Sequence, residues 1–397
     1  MRVLFLSTVY PKPHAPARGV FCRHLCEALA ERHEVLVVSP TPWTECLRRR
    51  ANGFSGSTDS RAAEIHPTYY FPPRLWHSRA HRFMWASIRS AVRRLGREFR
   101  PDCVLSYWAH PDGAVATRAG RQWDVPVGII VGGSDVLILP RDRARRKAVV
   151  NALEAADAVF VVGHALRDAT IRLGVDPSKV HVHRQGTHGR FRPGDRVAAR
   201  RALGLPADAN VLLWVGRMVP VKGLEVLIDA CARVRNAGRD FRLILAGNGP
   251  LRAAVADDCE RRGLSANVCF PGELPNDALP DWYRAANLFI LSSHSEGVPN
   301  VLREALACGT PYVATAVGGV GELTNDPAVR LVPPGDPAAL AAAIDRALSN
   351  PQRPDPSRTR FPDWSETSER LLQVLFAPHT AARTGLSKVC YQLEGCA

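Results

Sequence analysis

Residues 288–315 read LFILSSHSEGVPNVLREALACGTPYVAT. The stretch begins and ends with strand-sized apolar runs, whereas its middle follows the period of an amphipathic helix. One face of that helix is apolar and has to be buried; it carries Val301, Leu302, Ala305 and Leu306. Gly309 ends the helix, and Pro311 prevents it from continuing. The stretch therefore predicts a strand–helix–strand unit, the building block of a parallel sheet.

The same alternation extends over most of the chain. In the first half the predicted strands cover residues 2–7, 34–39, 103–107, 125–131 and 158–162. In the second half they cover residues 211–215, 241–246, 268–271, 288–291, 312–315 and 330–332. Apolar strands separated by helices indicate parallel sheets covered on both faces. We therefore predict an α/β protein of two doubly wound, Rossmann-like domains.

The length of 397 residues suits two domains better than a single core. We predict an N-terminal domain over residues 1–190, a C-terminal domain over 191–362, a helix over 363–377 that could return to the N-terminal domain, and a loose tail over 378–397. Residues 40–73 interrupt the alternation with Gly, Ser and Pro and are predicted to form a long functional or mobile loop. Because ligands of such sheets lie beyond the carboxyl ends of the strands, the two domains should face each other across a binding cleft.

The composition is that of a globular protein, with 46% hydrophobic and 23% charged residues. The chain has no run of eighteen apolar residues, and its first residues lack the features of a signal peptide, so we expect a cytoplasmic protein. Its ten cysteines are scattered, and the pair Cys22 and Cys26 has no second pair downstream. This spacing predicts reduced thiols rather than a zinc site or a disulfide framework.

The net charge of +14 is concentrated in the first half. Residues 1–195 carry 30 Lys and Arg against 17 Asp and Glu, whereas residues 196–397 carry 22 against 21. The excess favours contact with something anionic, although solvated surface arginines explain it equally well. Nucleic acid is not an expected partner, because the chain has no zinc finger, no RNA-recognition signature and no basic run interleaved with aromatic residues.

A cationic loop follows the first strand of the second half. Residues 216–223 read GRMVPVKG, so Gly216 lets the backbone turn while Arg217 and Lys222 come near the start of a helix. An Arg fork and a Lys point charge suit a diphosphate, although two surface cations would give the same pattern. The spacing differs from that of a Walker loop.

Two carboxylates bracket the start of the helix within residues 288–315. Glu296 lies in the loop before the helix and Glu304 lies inside it. Backbone N–H groups at the helix start would point at a phosphate, and Glu304 could accept hydrogen bonds from ribose hydroxyls. Residues 247–250, GNGP, form a glycine-rich turn that by itself only joins a strand to a helix.

The segment from Glu296 to Glu304, with its flanking Gly and Pro, resembles the signature of family 4 retaining glycosyltransferases, which have the GT-B fold. Residues 216–223 and 247–250 fall in the order and spacing of that family. In the first half, residues 11–21, the HPDG of 110–113 and the GSD of 133–135 are similar to the same group. The chain departs from the family in having Arg18 before Gly19, where many members have Gly-Gly, and EGVP at 296–299, where EGFG is common.

The resemblance implies four catalytic residues. Arg217 and Lys222 would hold the donor diphosphate. Glu296 would contact the sugar hydroxyls, and His110 would lie near the anomeric carbon. The other implied donor-binding residues are Gly19, Asp135, Gly216, Gly247, Asn248, Gly297, Val298, Pro299, Asn300, Val301 and Glu304. The backbone from Gly297 to Val301 would meet phosphate and sugar, and Glu304 the ribose.

The activity implied is retaining transfer from a UDP- or GDP-sugar to a glycan or lipid-linked acceptor, in cell-surface polysaccharide or glycolipid synthesis. No metal and no cofactor is expected, because Arg217, Lys222 and a helix N-terminus can replace a divalent ion at the diphosphate. Glu296 is the one candidate nucleophile for a double displacement. Orientation of the sugar by Glu296, with the leaving phosphate as base, is the favoured interpretation.

Three alternatives remain open from the sequence. A GT-B sugar-nucleotide epimerase or a phosphorylase would use the same motifs. A basic nucleotide-binding or nucleic-acid-binding protein without turnover would be recognised by strongly salt-dependent binding. The basic first half also predicts a peripheral contact with the anionic inner face of a membrane.

Overall fold

The computed structural model describes residues 1–12, 15, 18–52, 62–73, 75–355, 357–358 and 360–384. Each half of the chain contains a large parallel sheet with helices on both faces. The α/β class expected from the alternation of strands and helices is therefore confirmed.

The first domain is built on a seven-stranded sheet. Its strands, with a separate two-stranded pair, are β1 (Arg2–Leu6), β2 (Glu34–Val38), β3 (Thr41–Pro42), β4 (Ala63–Ile65), β5 (Thr68–Tyr69), β6 (Cys103–Tyr107), β7 (Val127–Val131), β8 (Ala158–Val161) and β9 (Val180–Val182). Its helices are α1 (Val20–Ala30), α2 (Trp43–Asn52), α3 (Ala80–Glu98), α4 (Ala114–Trp123), α5 (Ser134–Leu137), α6 (Arg143–Glu154) and α7 (His164–Arg172). The strand order of the large sheet is β4-β2-β1-β6-β7-β8-β9, and β3 pairs with β5.

The second domain is built on a six-stranded sheet. Its strands are β10 (Val211–Val215), β11 (Arg242–Ala246), β12 (Val268–Gly272), β13 (Leu288–Leu291), β14 (Tyr312–Thr315) and β15 (Arg330–Val332). Its helices are α8 (Arg196–Ala202), α9 (Leu224–Asn236), α10 (Arg252–Arg261), α11 (Leu279–Ala285), α12 (Asn300–Ala307) and α13 (Pro337–Ser349). The strand order is β12-β11-β10-β13-β14-β15, the order of a doubly wound dinucleotide-binding sheet.

Alternate residues of the central strands pack on opposite faces of their sheet. In β1, Leu4 and Leu6 belong to the core layer on one face, and Val3 and Phe5 to the layer on the other. Both layers are covered by helices, so a strand gains from apolar residues at every position. This double burial explains why the strands appear in the sequence as continuous apolar runs.

The winding of each sheet changes direction between two central strands, and ligands bind at such switch points. The paired strands are β1 and β6 in the first sheet, and β10 and β13 in the second. The loops after β10 and β13 carry Arg217 and Glu296, whereas those after β1 and β6 lead to Gly19 and His110. The topology thus gathers residues that are far apart in the sequence at two facing switch points.

Residues 40–73 are not a single long loop, and the prediction of one was wrong. They contain α2, the edge strand β4 paired with β2, and the β3–β5 pair. The Trp43 indole Nε1 donates a hydrogen bond of 2.8 Å to the Phe71 carbonyl oxygen, which ties the two ends of the segment together. Strands this short depend on their pairing partners and leave little periodicity in the sequence. Residues 53–61 lie outside the described residues.

A long helix, α14 (Trp364–Thr384), follows the second domain and packs against α1 and β8 of the first. Its residues Leu371, Leu372 and Leu375 belong to a core layer of the first domain. The tail predicted from residue 378 is wrong as far as Thr384, because Pro378 does not end the helix. Residues 385–397 lie outside the described part of the chain.

Candidate active site between the domains

A cavity of about 890 Å³ lies between the two domains. The start of α1 contributes the first-domain wall, and the loops after β10 and β11 and the start of α12 contribute the second-domain wall. Part of the predicted site lines this cavity: Gly19, Gly216, Arg217, Gly247, Asn248, Asn300, Val301 and Glu304. The guanidinium-bearing side chain of Arg217 is exposed, so it is available to a ligand in the cleft.

Two glycine-containing loops form the floor of the cavity on the second-domain side. Gly247 has φ +135°, and a Cβ there would lie 1.9 Å from the Gly216 carbonyl oxygen. The Met218 N–H donates a hydrogen bond of 2.8 Å to the Asn248 carbonyl oxygen, which fixes the two loops together. Only glycine fits at position 247, and its absent side chain lets a ligand approach the backbone closely.

Lys222 and Glu296 contact each other directly. The Lys222 Nζ donates to Glu296 Oε1 over 2.6 Å, and the Ser293 hydroxyl donates to the same oxygen over 2.6 Å. The Ser292 hydroxyl donates to the Lys222 carbonyl oxygen over 3.0 Å, which positions the lysine backbone. Both serines are buried, so this part of the loop is rigidly held. Neither member of the ion pair lines the 890 Å³ cavity.

Glu304 lines the cavity from α12. The Tyr283 hydroxyl donates a hydrogen bond of 2.8 Å to Glu304 Oε2. Burial raises the pKa of the Glu304 carboxyl, while the Tyr283 hydroxyl and the nearby Arg303 act in the opposite direction. No motif in the sequence pointed to Tyr283, which lies on α11.

Arg303 was not predicted, although it is buried and lines the cavity. Its guanidinium donates to the backbone oxygen and side-chain oxygen of Gln185 and to Asn300 Oδ1. Burial lowers the pKa of Arg303 to about 10. Gln185 follows β9 of the first domain, so Arg303 connects α12 with the chain that leaves that domain. The one feature of the sequence that could have indicated Arg303 is its position beside the apolar face of the predicted helix.

The first-domain wall depends on Gly19, which precedes α1. Gly19 has φ +74°, and a Cβ would lie 2.5 Å from the Val9 carbonyl oxygen. His24, one turn further along α1, also lines the cavity. Burial, with His188 and Arg190 nearby, lowers the pKa of His24 to about 4, so its imidazole is neutral at pH 7.

His110 lines a second cavity of about 220 Å³, in the first domain, rather than the larger cleft. Its Nε2 lies 2.9 Å from His81 Nδ1. Burial, with His81 and Arg145 nearby, lowers the pKa of His110 to about 4. The walls are largely aromatic and include Tyr69, Phe71, Trp76, Phe83 and Trp108. Arg145 adds a cation to this second cavity.

Asp135 lines neither of these two cavities and is fully buried. Its carboxylate accepts hydrogen bonds from the backbone N–H groups of Ala109, Gly133 and Gly132, at 3.0, 2.8 and 3.2 Å. In this structure Asp135 therefore holds the loops after β6 and β7 together. Its contact with a donor stays a prediction.

Gly297 and Val298 lie at the contact between the domains, and neither they nor Pro299 line the larger cavity. A Cβ on Gly297 would lie 3.0 Å from the Gly132 carbonyl oxygen, and Val298 packs against the first-domain core. Pro299 has no N–H to offer to a phosphate. Of the backbone expected to meet the donor, Asn300 and Val301 reach the cavity.

Among the described residues, no group of three or more His, Cys, Asp or Glu side chains is arranged to hold a metal ion. Within the same residues, no helix is long and apolar enough to cross a membrane. The described cysteines are all unpaired.

Comparison with known proteins yields two family models that match successive parts of the chain. Residues 19–188 match glycosyltransferase family 4, and residues 195–362 match the glycosyl transferases group 1. TuaC of Bacillus subtilis, assigned to teichuronic acid biosynthesis as a glycosyltransferase, is 28% identical over 87% of this chain and 89% of its own. The D-inositol 3-phosphate glycosyltransferase of Thermobispora bispora is 37% identical over 72% of this chain and 74% of its own.

Among solved structures, Anabaena HepE in complex with UDP and glucose aligns with a TM-score of 0.69, at 20% identity over 97% of this chain and 99% of that one. This likeness confirms the GT-B fold that the sequence resemblance implied. The two family models and the relatives above show that the chain belongs to glycosyltransferase family 4 and is a glycosyltransferase.

Proposed function

We propose that the protein transfers a sugar, with retention of configuration, from a UDP- or GDP-sugar to a glycan or lipid-linked acceptor. The observation that carries the proposal is the interdomain cavity, in which Arg217 and Glu304 face the same space above a glycine floor. The name of TuaC and the UDP bound by HepE support synthesis of a cell-surface polysaccharide or glycolipid from a nucleotide-sugar.

The donor diphosphate would lie over the Gly216–Gly247 floor, beside Arg217. A diphosphate carries about two negative charges, which an exposed guanidinium can pair with bidentately. The start of α12 adds N–H groups and the positive end of its dipole. Glu304, already oriented by Tyr283, has one carboxylate oxygen left for ribose hydroxyls.

The Lys222–Glu296 pair supports an orienting role for Glu296. Oε1 of Glu296 already accepts hydrogen bonds from Lys222 and Ser293, which lowers its readiness to attack a sugar carbon. Oε2 can accept hydrogen bonds from sugar hydroxyls. In the resulting step, the bond from C1 to the phosphate oxygen breaks while the acceptor oxygen bonds to C1 on the same face. The acceptor proton passes to the leaving phosphate.

The acceptor would occupy the second cavity. Aromatic rings suit the apolar face of a sugar or lipid, and Arg145 suits an anionic group. Trp108, on the cavity wall, lies against Gly132, and Gly132 touches Gly297 of the donor side. His110, neutral at pH 7, would meet the acceptor or the transferred sugar at this junction.

A peripheral contact with an anionic membrane is the remaining part of the proposal. Leu75 and Trp76 are 60% and 59% exposed, next to the turn His77–Arg79, which contacts α6. The start of α6 presents exposed basic side chains: Arg143, Arg146 and Lys147. Trp85 of α3 is buried with Arg118 above its ring, so it does not belong to this surface.

The test of the function is nucleotide release. Donor candidates are first selected by thermal shift, because a ligand that binds the native state raises its apparent stability. We then expect release of the free nucleotide only when acceptor is added, and undiminished release in excess EDTA.

Product from the donor without acceptor would favour an epimerase, and strong DNA binding without nucleotide-sugar affinity would favour the non-enzyme alternative. Activity lost in EDTA and restored by a divalent cation would contradict metal independence.

Membrane contact is tested by sedimentation with vesicles. Each basic residue near an anionic surface contributes about 1 kcal/mol, so the protein should sediment with anionic vesicles and stay in solution with neutral ones. Binding should fall as salt rises past about 0.3 M, and in the variant Trp76→Ala. Protein that stays in the supernatant with anionic vesicles at low salt would leave a soluble acceptor as the better explanation.

A further inference from the structure

A carboxylate of the second domain caps a helix of the first. Glu322 ends the short turn Val320–Glu322, and its Oε2 accepts a hydrogen bond of 2.6 Å from the His164 backbone N–H. Its Oε1 accepts one of 2.6 Å from the Ala165 N–H. His164 and Ala165 are the first two residues of α7. The first N–H groups of a helix usually bond to an acceptor close by in the sequence, whereas here the acceptor comes from the other domain.

The residue at the N-cap of α7 cannot cap the helix with a side chain of its own. Gly163, at the N-cap of α7, has no side chain to accept these hydrogen bonds. A Cβ at Gly163 would lie 2.9 Å from Glu322 Oε2 and 2.9 Å from Val298 Cγ2. A carboxylate also suits the positive end of the helix dipole. The glycine thus makes room for both Glu322 and Val298.

The same loop supports the donor side of the cleft. The Glu322 N–H donates to the Gly319 carbonyl oxygen over 3.1 Å, and the Gly319 N–H donates to the Gly297 carbonyl oxygen over 2.8 Å. Val298, the next residue, packs on the core of the first domain. Glu322 and the loop after Glu296 therefore reach the first domain side by side.

We propose that Glu322 is a positioning residue, which holds the acceptor-side domain in register with the donor loop through the start of α7. The inference rests on the proposed transfer reaction. Without the contact between Glu322 and α7, the second domain still binds the donor, but the first domain with the acceptor is displaced from it. The variant Glu322→Ala should therefore keep donor affinity within about threefold and lose about tenfold in turnover, the equivalent of 1.4 kcal/mol.

The matched control is Asp336→Ala. Asp336 caps α13 within the second domain, where its Oδ1 accepts a hydrogen bond of 2.9 Å from the Ala339 N–H. Both variants lose a helix cap, so both should lower the melting temperature to a similar degree. Only Glu322→Ala should speed amide hydrogen exchange at residues 164–167 and lower turnover.

A conservative variant separates the loss of the contact from the loss of the side chain. Glu322→Gln keeps the length of the side chain and one acceptor oxygen, so it should recover part of the slow exchange at the start of α7 and part of the turnover. Turnover in Glu322→Gln as low as in Glu322→Ala although exchange recovers, or wild-type exchange and turnover in Glu322→Ala, would overturn the proposal. The exchange measurement needs no substrate, so it stands even if the proposed transfer reaction fails its own test.

Discussion

Replacing Arg217 by Ala should lower turnover by roughly 10²–10³-fold, the scale of a lost transition-state donor. The exposed Arg217 guanidinium faces the cavity at the point where the diphosphate would lie, so it would meet the charge that builds on the departing nucleotide. Lys222→Ala should cost a similar factor. Steady-state kinetics with saturating donor measure both losses.

The matched control is Arg242→Ala, an exposed arginine at the opposite end of the same sheet, at the start of β11. It should keep wild-type turnover, and both Arg217→Ala and Arg242→Ala should keep the wild-type melting temperature. Lys222 also forms an ion pair with Glu296. The double variant Lys222→Ala/Glu296→Ala should therefore lose less turnover than the product of the two single losses. Near-wild-type turnover in both Arg217→Ala and Lys222→Ala would refute the diphosphate assignment.

Gly247→Ala should abolish most donor binding, with turnover reduced by about 10²-fold or more. A Cβ at this position would lie 1.9 Å from the Gly216 carbonyl oxygen, so the two floor loops must move apart. A displacement of about 1 Å at a substrate-binding loop can cost this factor. Donor titration by thermal shift and steady-state turnover measure the effect.

Gly238→Ala separates backbone strain from displacement of the floor. Gly238 also has positive φ, +85°, but a Cβ there would meet nothing within 4 Å. Both variants carry the strain of a left-handed residue, about 1–2 kcal/mol, whereas only Gly247→Ala should lose donor affinity. Equal affinity in the two variants would mean that the floor does not bind the donor.

The fold could be predicted from sequence because its central strands are buried on both faces. Such strands are continuous apolar runs, and four of the six strands of the second sheet have the predicted bounds: β10, β13, β14 and β15. The strand β9 and the helix α8 were missed, since both are short and lie near the polar crossing between the domains. Their stability comes from pairing and packing that local periodicity does not record.

The site could be predicted as a set of loops but not as a set of contacts. Arg217 and Glu304 follow strands whose carboxyl ends meet at a switch point, which the motif order implies. The contacts of Lys222 with Glu296, Tyr283 with Glu304 and Arg303 with Gln185 join residues 74, 21 and 118 positions apart. No local pattern encodes such pairs, because the first two depend on how the elements of the second domain pack and the third on how the two domains are placed.

Within the described residues the chain crosses between the domains twice, and the two crossings run side by side. The Thr187 N–H of the first donates a hydrogen bond of 2.9 Å to the Pro362 carbonyl oxygen of the second, and Gly186 lies against the backbone of Trp364. Paired connections allow rotation about one shared axis but resist twisting and sliding. Protease cleavage of a single crossing would therefore leave the halves associated, held by the other crossing and by α14. We therefore expect any opening of the cleft to be a hinge-like swing about these crossings.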